Sequence, residues 1–316
     1  SKTGLICMEN RKDQQLILVN KGPDDEGFDL CTKCGAIDPC VSSGKDKKER
    51  KRPYKVSYKW KKDMQECSHT RQKVFLGCDV HTDMLVLELK LENEYINIAK
   101  DSLNIWVIPA ATSLSEALAL AASKVLDIEF SDLRSGYRLR YGKESIYVDI
   151  YLYDSLSSGA GYANRVADLI EEVMDEAENS LKECNCETAC QNCLQNFWNQ
   201  SIRANLDRKA GLQLLNWVRK GELAEVDQKK EIDYMKTLEE IAQLQEEPGH
   251  IIKGENNYWI NIGTLKKKIK IYPAMCNMNK IDRDKETILI PDRLFKVSIA
   301  NVWKIVEKYI YNKSNL

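Results

Sequence analysis

Cys184, Cys186, Cys190 and Cys193 fall within a span of ten residues, in the pattern C-x-C-x3-C-x2-C. Thiolates are soft ligands, and zinc takes four of them in a tetrahedron with Zn–S bonds of about 2.3 Å. A run this short can wrap one ion with only turns between its ligands. Four protein ligands close the coordination sphere and leave no place for a water, so the expected role is structural. Reduced, unliganded thiols at this density would be chemically vulnerable, which makes metal the better reading.

A second candidate begins at Cys31-Thr32-Lys33-Cys34-Gly35, a metal-knuckle pattern. Its completion is open. Cys67 with His69 would make a site of three cysteines and one histidine, and Cys40 with Cys67 would make an all-cysteine site. A redox role for this pair would want a helix N-terminus beside a thioredoxin-like βαβ unit, and the sequence has no such pattern. His81 and His250 read as ordinary structural or surface histidines. Nine of the eleven cysteines lie between positions 31 and 78 or between 184 and 193, with only Cys7 and Cys276 outside. Disulfide-rich secreted chains are much shorter and carry an export signal, so the clustering again points to zinc and to the cytoplasm. The chain starts without an initiator Met, as an excised fragment or processed product would. No uninterrupted apolar stretch suggests a membrane span of roughly 20 residues.

The net charge of -1 hides an asymmetry. Residues 45–62 carry ten Lys or Arg against Asp46 and Glu49. Arg50, Lys51, Arg52, Lys55 and Lys59 are interleaved there with Tyr54, Tyr58 and Trp60, so cations can neutralise phosphates while rings stack on bases. The bland alternative is a solvated loop. Residues 168–187 reverse the balance, with eight acids against Lys182. Ser158-Gly159-Ala160-Gly161 stands between a strand and a helix, where backbone N–H groups can hold a phosphate or glycine can simply permit a tight turn. There is no GxxxxGK[ST], HExxH or GxSxG, and no nucleophile–base pair. Catalysis has no residue to rest on.

The elements that must position these residues follow from periodicity. Residues 5–19 suit a strand, ended by Gly22-Pro23. Leu85, Leu87, Leu89 and Leu91 alternate along another, and 105–108 reads as a third strand stopped by Pro109. Ser113 and Glu116 form a capping box ahead of an amphipathic helix to Leu126. Residues 137–141 and 145–153 make a hairpin through Gly142-Lys143. A helix of about five turns runs from Tyr162 to Leu181, and a further one covers 206–218. A charged helix at 226–247 is closed by Pro248-Gly249. Strands at 258–262, 269–272 and 287–290 and a helix at 299–311 complete the chain. The fold class is α+β, a mainly antiparallel sheet with packed helices and zinc-binding cysteine clusters, plus a small C-terminal α/β unit. The expected boundaries are 1–221, with a knuckle at 27–80 and the four-cysteine site at 184–193, and 222–316.

Several motifs occur in an order that resembles a known family. They are Gly27-Phe28-x-Leu30-Cys31-x-x-Cys34-Gly35, Leu76-Gly77-Cys78-x-x-x-Thr82-Asp83, Tyr151-Leu152-Tyr153-Asp154 and Gly159-Ala160-Gly161-Tyr162. The four-cysteine run, Asn199-Gln200 and Leu206-Asp207-Arg208 complete the series. The chain resembles the MrfA-type zinc-binding domain over about residues 27–221. That family occurs at the C-terminus of superfamily 2 DNA helicases and in the helicase-partner protein of the DISARM antiphage defence system. The resemblance implies a zinc site at Cys184, Cys186, Cys190 and Cys193, and work beside a helicase in DNA repair or phage defence. Two departures stand out: Cys78 replaces a frequent His, and Ser158 replaces the first of two glycines.

The reading that combines these signals is a non-catalytic, zinc-stabilised accessory module of a superfamily 2 DNA helicase, in the same polypeptide or as a separate subunit, contacting DNA through residues 50–60. A protein-interaction scaffold that uses the acidic helix or the C-terminal unit is the alternative. A zinc-dependent nuclease built on Cys31, Cys34 and His69 is a third, weakened by the lack of a general base.

Overall fold

The computed structural model describes residues 3–32, 35, 37–40, 71–156, 158–254, 257–278 and 287–311. Its contacts divide the chain into one compact unit of Ser1–Lys12 with Asp83–Leu316, and a second of Asp13–Thr82.

The main sheet has the order β1 (Ile6–Asn20), β5 (Leu76–Glu92), β7 (Ser145–Asp154), β6 (Leu133–Tyr141). β7 runs antiparallel to both neighbours, with Leu85 opposite Leu152 and Arg134 opposite Tyr153. The expected hairpin closes where the Gly142 N–H donates to the Ser145 carbonyl at 2.8 Å. Strand alternation puts Leu85, Leu87, Leu89 and Leu91 on one face with Ile146, Val148, Ile150 and Leu152, and all eight are buried.

Helix α1 (Ile108–Leu126) covers that face. Residues 105–108 are not the strand their apolar run suggests. A π-type turn, Leu103–Val107, leads directly into α1. Pro109 does not stop this element; it sits in the first helical turn, where its missing N–H has no partner to lose. Ser113 and Glu116 therefore lie inside the helix and cap nothing. The Ser113 Oγ accepts the Asp207 N–H at 2.6 Å, and the Glu116 carboxylate accepts from Asn199 at 2.8 Å. The continuous helical segment, residues 100–126, is long and apolar enough to cross a bilayer, but 72% of its most apolar window is buried within the fold. It is a core helix. Trp106, fully buried, donates its ring N–H to Gln213 at 2.8 Å.

The helix expected from Tyr162 to Leu181 is two helices, α2 (Tyr162–Asp168) and α3 (Ile170–Glu183), broken at Leu169 with φ -109°. α4 (Arg208–Lys220) packs on both α1 and α3. Part of the acidic face of α3 is engaged internally. Arg219 meets Asp175 at 2.7 Å, Glu178 at 3.1 Å and Glu171 at 3.2 Å, and Lys220 meets Glu178 at 2.7 Å.

The turn before α2 holds an anion, but it is the protein's own. Asp154, 1% exposed, accepts the N–H groups of Ala160 at 2.5 Å, Gly161 at 2.6 Å, Ala163 at 2.8 Å and Tyr162 at 3.2 Å. These are the donors a phosphate would use, and a charged acceptor satisfies them. Gly159 and Gly161 take positive φ here, and so does Ser158 at 73°, the position that departs from the family's glycine.

Within residues 13–82, β2 (Phe28–Cys31), β3 (Ile37–Pro39) and β4 (Arg71–Val74) form an antiparallel sheet with β2 central. Toward the C-terminus, α5 (Gln228–Gln243) accompanies β8 (Gly249–Lys253), β9 (Tyr258–Ile262), β10 (Leu265–Tyr272) and β11 (Thr287–Pro291). β8, β9 and β10 pair antiparallel, and β11 joins β10 in parallel. Two helices follow, α6 (Leu294–Val297) and α7 (Ile299–Tyr311). This stretch has its own apolar cluster, including Leu238, Ile260, Ile288 and Val306. It is stitched to the main sheet's surroundings by Asn97 N–H to Met275 O at 2.7 Å and Asn277 N–H to Tyr95 O at 2.8 Å.

Replacing Asp154 by Ala strands those N–H groups, and an unmet buried donor costs on the order of 1–3 kcal/mol. Asp154→Ala should lower the unfolding free energy in urea by about 3 kcal/mol or more, and Asp154→Asn should lose less. An unchanged denaturation midpoint in Asp154→Ala would refute this role.

Candidate metal centre

The C-terminal end of α3 delivers the first thiol. Cys184 caps that helix in an extended conformation, so the chain leaves the helical path at the residue where ligation is expected to start. A tight turn follows. The Cys190 carbonyl accepts N–H groups from Cys193 at 3.1 Å, Leu194 at 3.1 Å and Gln195 at 2.9 Å, which folds the last two thiols onto each other. The Sγ atoms of Cys184 and Cys190 lie 3.5 Å apart, those of Cys186 and Cys193 3.6 Å, and those of Cys190 and Cys193 3.9 Å. All four lie within 4.8 Å of one another. Tetrahedral zinc with bonds of 2.3 Å requires S–S edges of about 3.8 Å, so the sulfurs fit that ion. The Cys190 N–H also points at the Cys193 sulfur, 3.3 Å away, where it would stabilise a thiolate.

The thiols differ in acidity for local reasons. The Cys186 backbone N–H, assisted by the neighbouring thiols, draws Cys184 down to about 7. Burial pushes Cys193 up to about 12 and raises Cys186 as well.

Three buried polar residues fix the surrounding loops, and all sit in motifs that carried the family resemblance. Arg208, 8% exposed, donates from Nε to the Cys186 carbonyl and from Nη1 to the Leu181 carbonyl, both at 2.8 Å. It thus ties the last turn of α3 to the cysteine loop. Asn199, 3% exposed, donates to the Leu194 carbonyl and to Glu116 of α1, both at 2.8 Å. Asp207 caps α4 by accepting the Ala210 N–H at 3.0 Å and pairs with Arg293 at 2.7 Å. Arg293 also donates to the Ile105 carbonyl at 2.9 Å, so the C-terminal stretch is anchored at the foot of α4. Neither Glu116 nor Arg293 carried a sequence signal for these roles.

Of the other expected ligands, only Cys31 and Cys40 fall among the described residues. Cys31 is buried at the end of β2, and Cys40 follows β3. Burial and a hydrogen bond to Asp29 raise the Cys40 thiol. Cys34, Cys67 and His69 lie outside the described residues, as do Arg50, Lys51, Arg52, Tyr54, Lys55, Tyr58, Lys59 and Trp60. Among the described residues, the four-cysteine cluster is the only group of three or more potential ligands within reach of one ion. Cys78 is exposed on β5.

Residues 114–194 match the family model described as the MrfA Zn-binding domain. The resemblance read from the motifs is therefore borne out over that stretch, and with the sulfur geometry it supports zinc as the metal. Over 220 residues, 67% of the chain, the sequence is 35% identical to the Druantia protein DruE of Escherichia coli (strain UMEA 4076-1), and it spans only 12% of that protein. Two crystal structures of the DUF1998 helicase MrfA, one bound to DNA and one to DNA and AMPPNP, are also similar. They align with TM-scores of 0.34 and 0.31 at 20% and 17% identity, over 47% and 46% of this chain and 19% and 17% of theirs.

Ligation requires thiolates, so loading expels protons and falling pH opposes it. Zinc affinity should weaken steeply from about pH 8 to about pH 6, as competition with a chelator would report. A flat profile would contradict a four-thiolate site. Arg208→Ala should leave the cysteines in place yet cost roughly 10- to 100-fold in zinc retention, with Arg208→Lys only partly compensating. Retention equal to the unsubstituted chain would remove Arg208 from the site.

Proposed function

We propose that this chain is a non-catalytic, zinc-stabilised accessory module of a superfamily 2 DNA helicase system in DNA repair or phage defence. Cys184, Cys186, Cys190 and Cys193 hold the ion, which fixes the junction of α3 and α4. The observation that carries the reading is the four-sulfur cluster inside the stretch that matches the MrfA Zn-binding domain. A closed set of four protein ligands leaves no coordination position for substrate, which favours a structural role over hydrolysis. The similarity to DruE covers a small part of that protein, so a larger polypeptide or a separate subunit supplies the motor in this proposal.

DNA is engaged by the basic-aromatic residues 50–60, where Arg50, Lys51, Arg52, Lys55 and Lys59 neutralise phosphates and Tyr54, Tyr58 and Trp60 stack. The scaffold alternative places partner contact on the acidic face of α3. Arg219 and Lys220 already neutralise Glu171, Asp175 and Glu178 on that helix, which leaves less charge for a partner.

Lys51, Arg52 and Lys55 changed together to Glu should reduce DNA affinity at least tenfold and flatten its dependence on salt, while zinc content stays at that of the unsubstituted chain. Gel-shift titrations at several salt concentrations would show it. Equal affinity in both proteins would reject the assignment of this segment.

A further inference from the structure

Two large aromatic side chains next to the cysteine turn have no place in the core. Phe197 is 72% exposed and Trp198 56% exposed. They are neighbours in sequence and in space, with ring centroids 5.3 Å apart and planes at 87°. The Arg134 guanidinium from β6 lies over the indole, 4.2 Å from its centroid. Adjacent exposed rings of this size mark interaction surfaces more often than ordinary surface.

The backbone beneath them is held firmly. The Asn196 Oδ1 accepts the Trp198 N–H at 2.8 Å and the Asn199 N–H at 3.1 Å. Asn199 in turn is bonded to Leu194 and Glu116, and Arg203 donates to the Asn196 carbonyl at 3.2 Å. The turn that presents the rings is thus an extension of the cysteine loop, with its backbone fixed by hydrogen bonds. Such preorganisation reduces the entropy lost on association.

The charges around the pair select the partner. Arg134 lies over the indole, Arg203 donates to the backbone beneath the pair, and half-buried Tyr153 lies opposite Arg134 in the sheet register. The Glu116 carboxylate is turned inward, onto Asn199, Asn196 and Ser135. An apolar protein surface would have to desolvate Arg134 without supplying an acid. A single nucleic-acid strand supplies both halves of the match, bases for the rings and phosphates for the Arg134 guanidinium.

We propose that Phe197 and Trp198, braced by Arg134, form a stacking platform for the unpaired bases of a single nucleic-acid strand. The platform rests on the nucleic-acid reading above and adds a second, strand-selective contact to it. Duplex bases are stacked on each other and unavailable to the rings, so the platform discriminates by strandedness while the basic segment does not.

The test uses the full zinc-loaded chain and fluorescence anisotropy, with a labelled oligothymidylate and a duplex of equal length. Phe197→Ala with Trp198→Ala should weaken single-strand binding tenfold or more, the scale of base–aromatic stacking. Duplex affinity and zinc content should not change. Trp198→Phe should keep most of the single-strand affinity. Single-strand affinity unchanged in the double variant overturns the platform and leaves a protein partner as the use of the two rings. An equal loss on both probes also overturns it. If the unsubstituted chain binds neither probe, the nucleic-acid reading itself fails and the platform with it. If reversing the charges at 51, 52 and 55 has no effect while the aromatic variant does, the platform stands and the basic-segment assignment falls.

Discussion

Four sulfur atoms within 4.8 Å of one another cannot all ionise unless a cation sits among them. Like charges at such distances repel strongly, and burial, the main reason the Cys193 thiol holds its proton, adds to the cost of ionising it. Zinc reverses that balance, because each bond it forms removes the repulsion that opposed it. The segment between α3 and α4 has one short 3-10 helix, Gln200–Asn205, and is otherwise turns and loop, held by the Arg208 and Asn199 hydrogen bonds and by the cysteine cluster. The ion therefore sets the relation of two helices that both pack on α1.

Around that constraint, the loops are fixed by buried polar side chains that each satisfy several backbone groups. Asp154 closes the turn before α2, Arg208 bridges α3 to the cysteine loop, and Asn199 ties the loop after it to α1. Removing such a group leaves donors or acceptors without water or partner, which costs more than the bond itself contributed. The Asp207–Arg293 pair carries the same logic toward the C-terminus, with both side chains largely buried. A paired charge in the interior is tolerated because its desolvation is offset locally, and it specifies which surfaces meet.

The acidic and basic regions of the sequence have different fates. The acids of α3 are partly neutralised within the fold by Arg219, Lys220 and Lys124. Arg138 and Arg140 on β6 are likewise drawn to Asp149, at 3.0 Å and 2.6 Å. Net charge along a segment therefore says little about a partner until the internal pairs are subtracted. Arg134, on the same strand, sits instead over an exposed indole.

Local patterns were enough for much of this protein. Strand alternation at Leu85, Leu87, Leu89 and Leu91, the Gly142-Lys143 hairpin, the strand at 258–262 and the helix at 299–311 are all legible, because each is set by neighbours within a few residues. The four-cysteine cluster was legible for the same reason, since its ligands all fall within a span of ten residues. What the sequence concealed depends on distant partners. The run at 105–108 looks equally apolar in a strand or a helix, and packing under the sheet decides for the helix. Ser113 and Glu116 mimic a cap but bond to Asp207 and Asn199, more than 80 residues away. β8 lacks a pattern of its own and exists because β9 offers it an edge. The anion at the turn before α2 and the ring pair beside the zinc turn likewise appear only in three dimensions, because burial and exposure are properties of the whole packed chain and not of any one stretch of it.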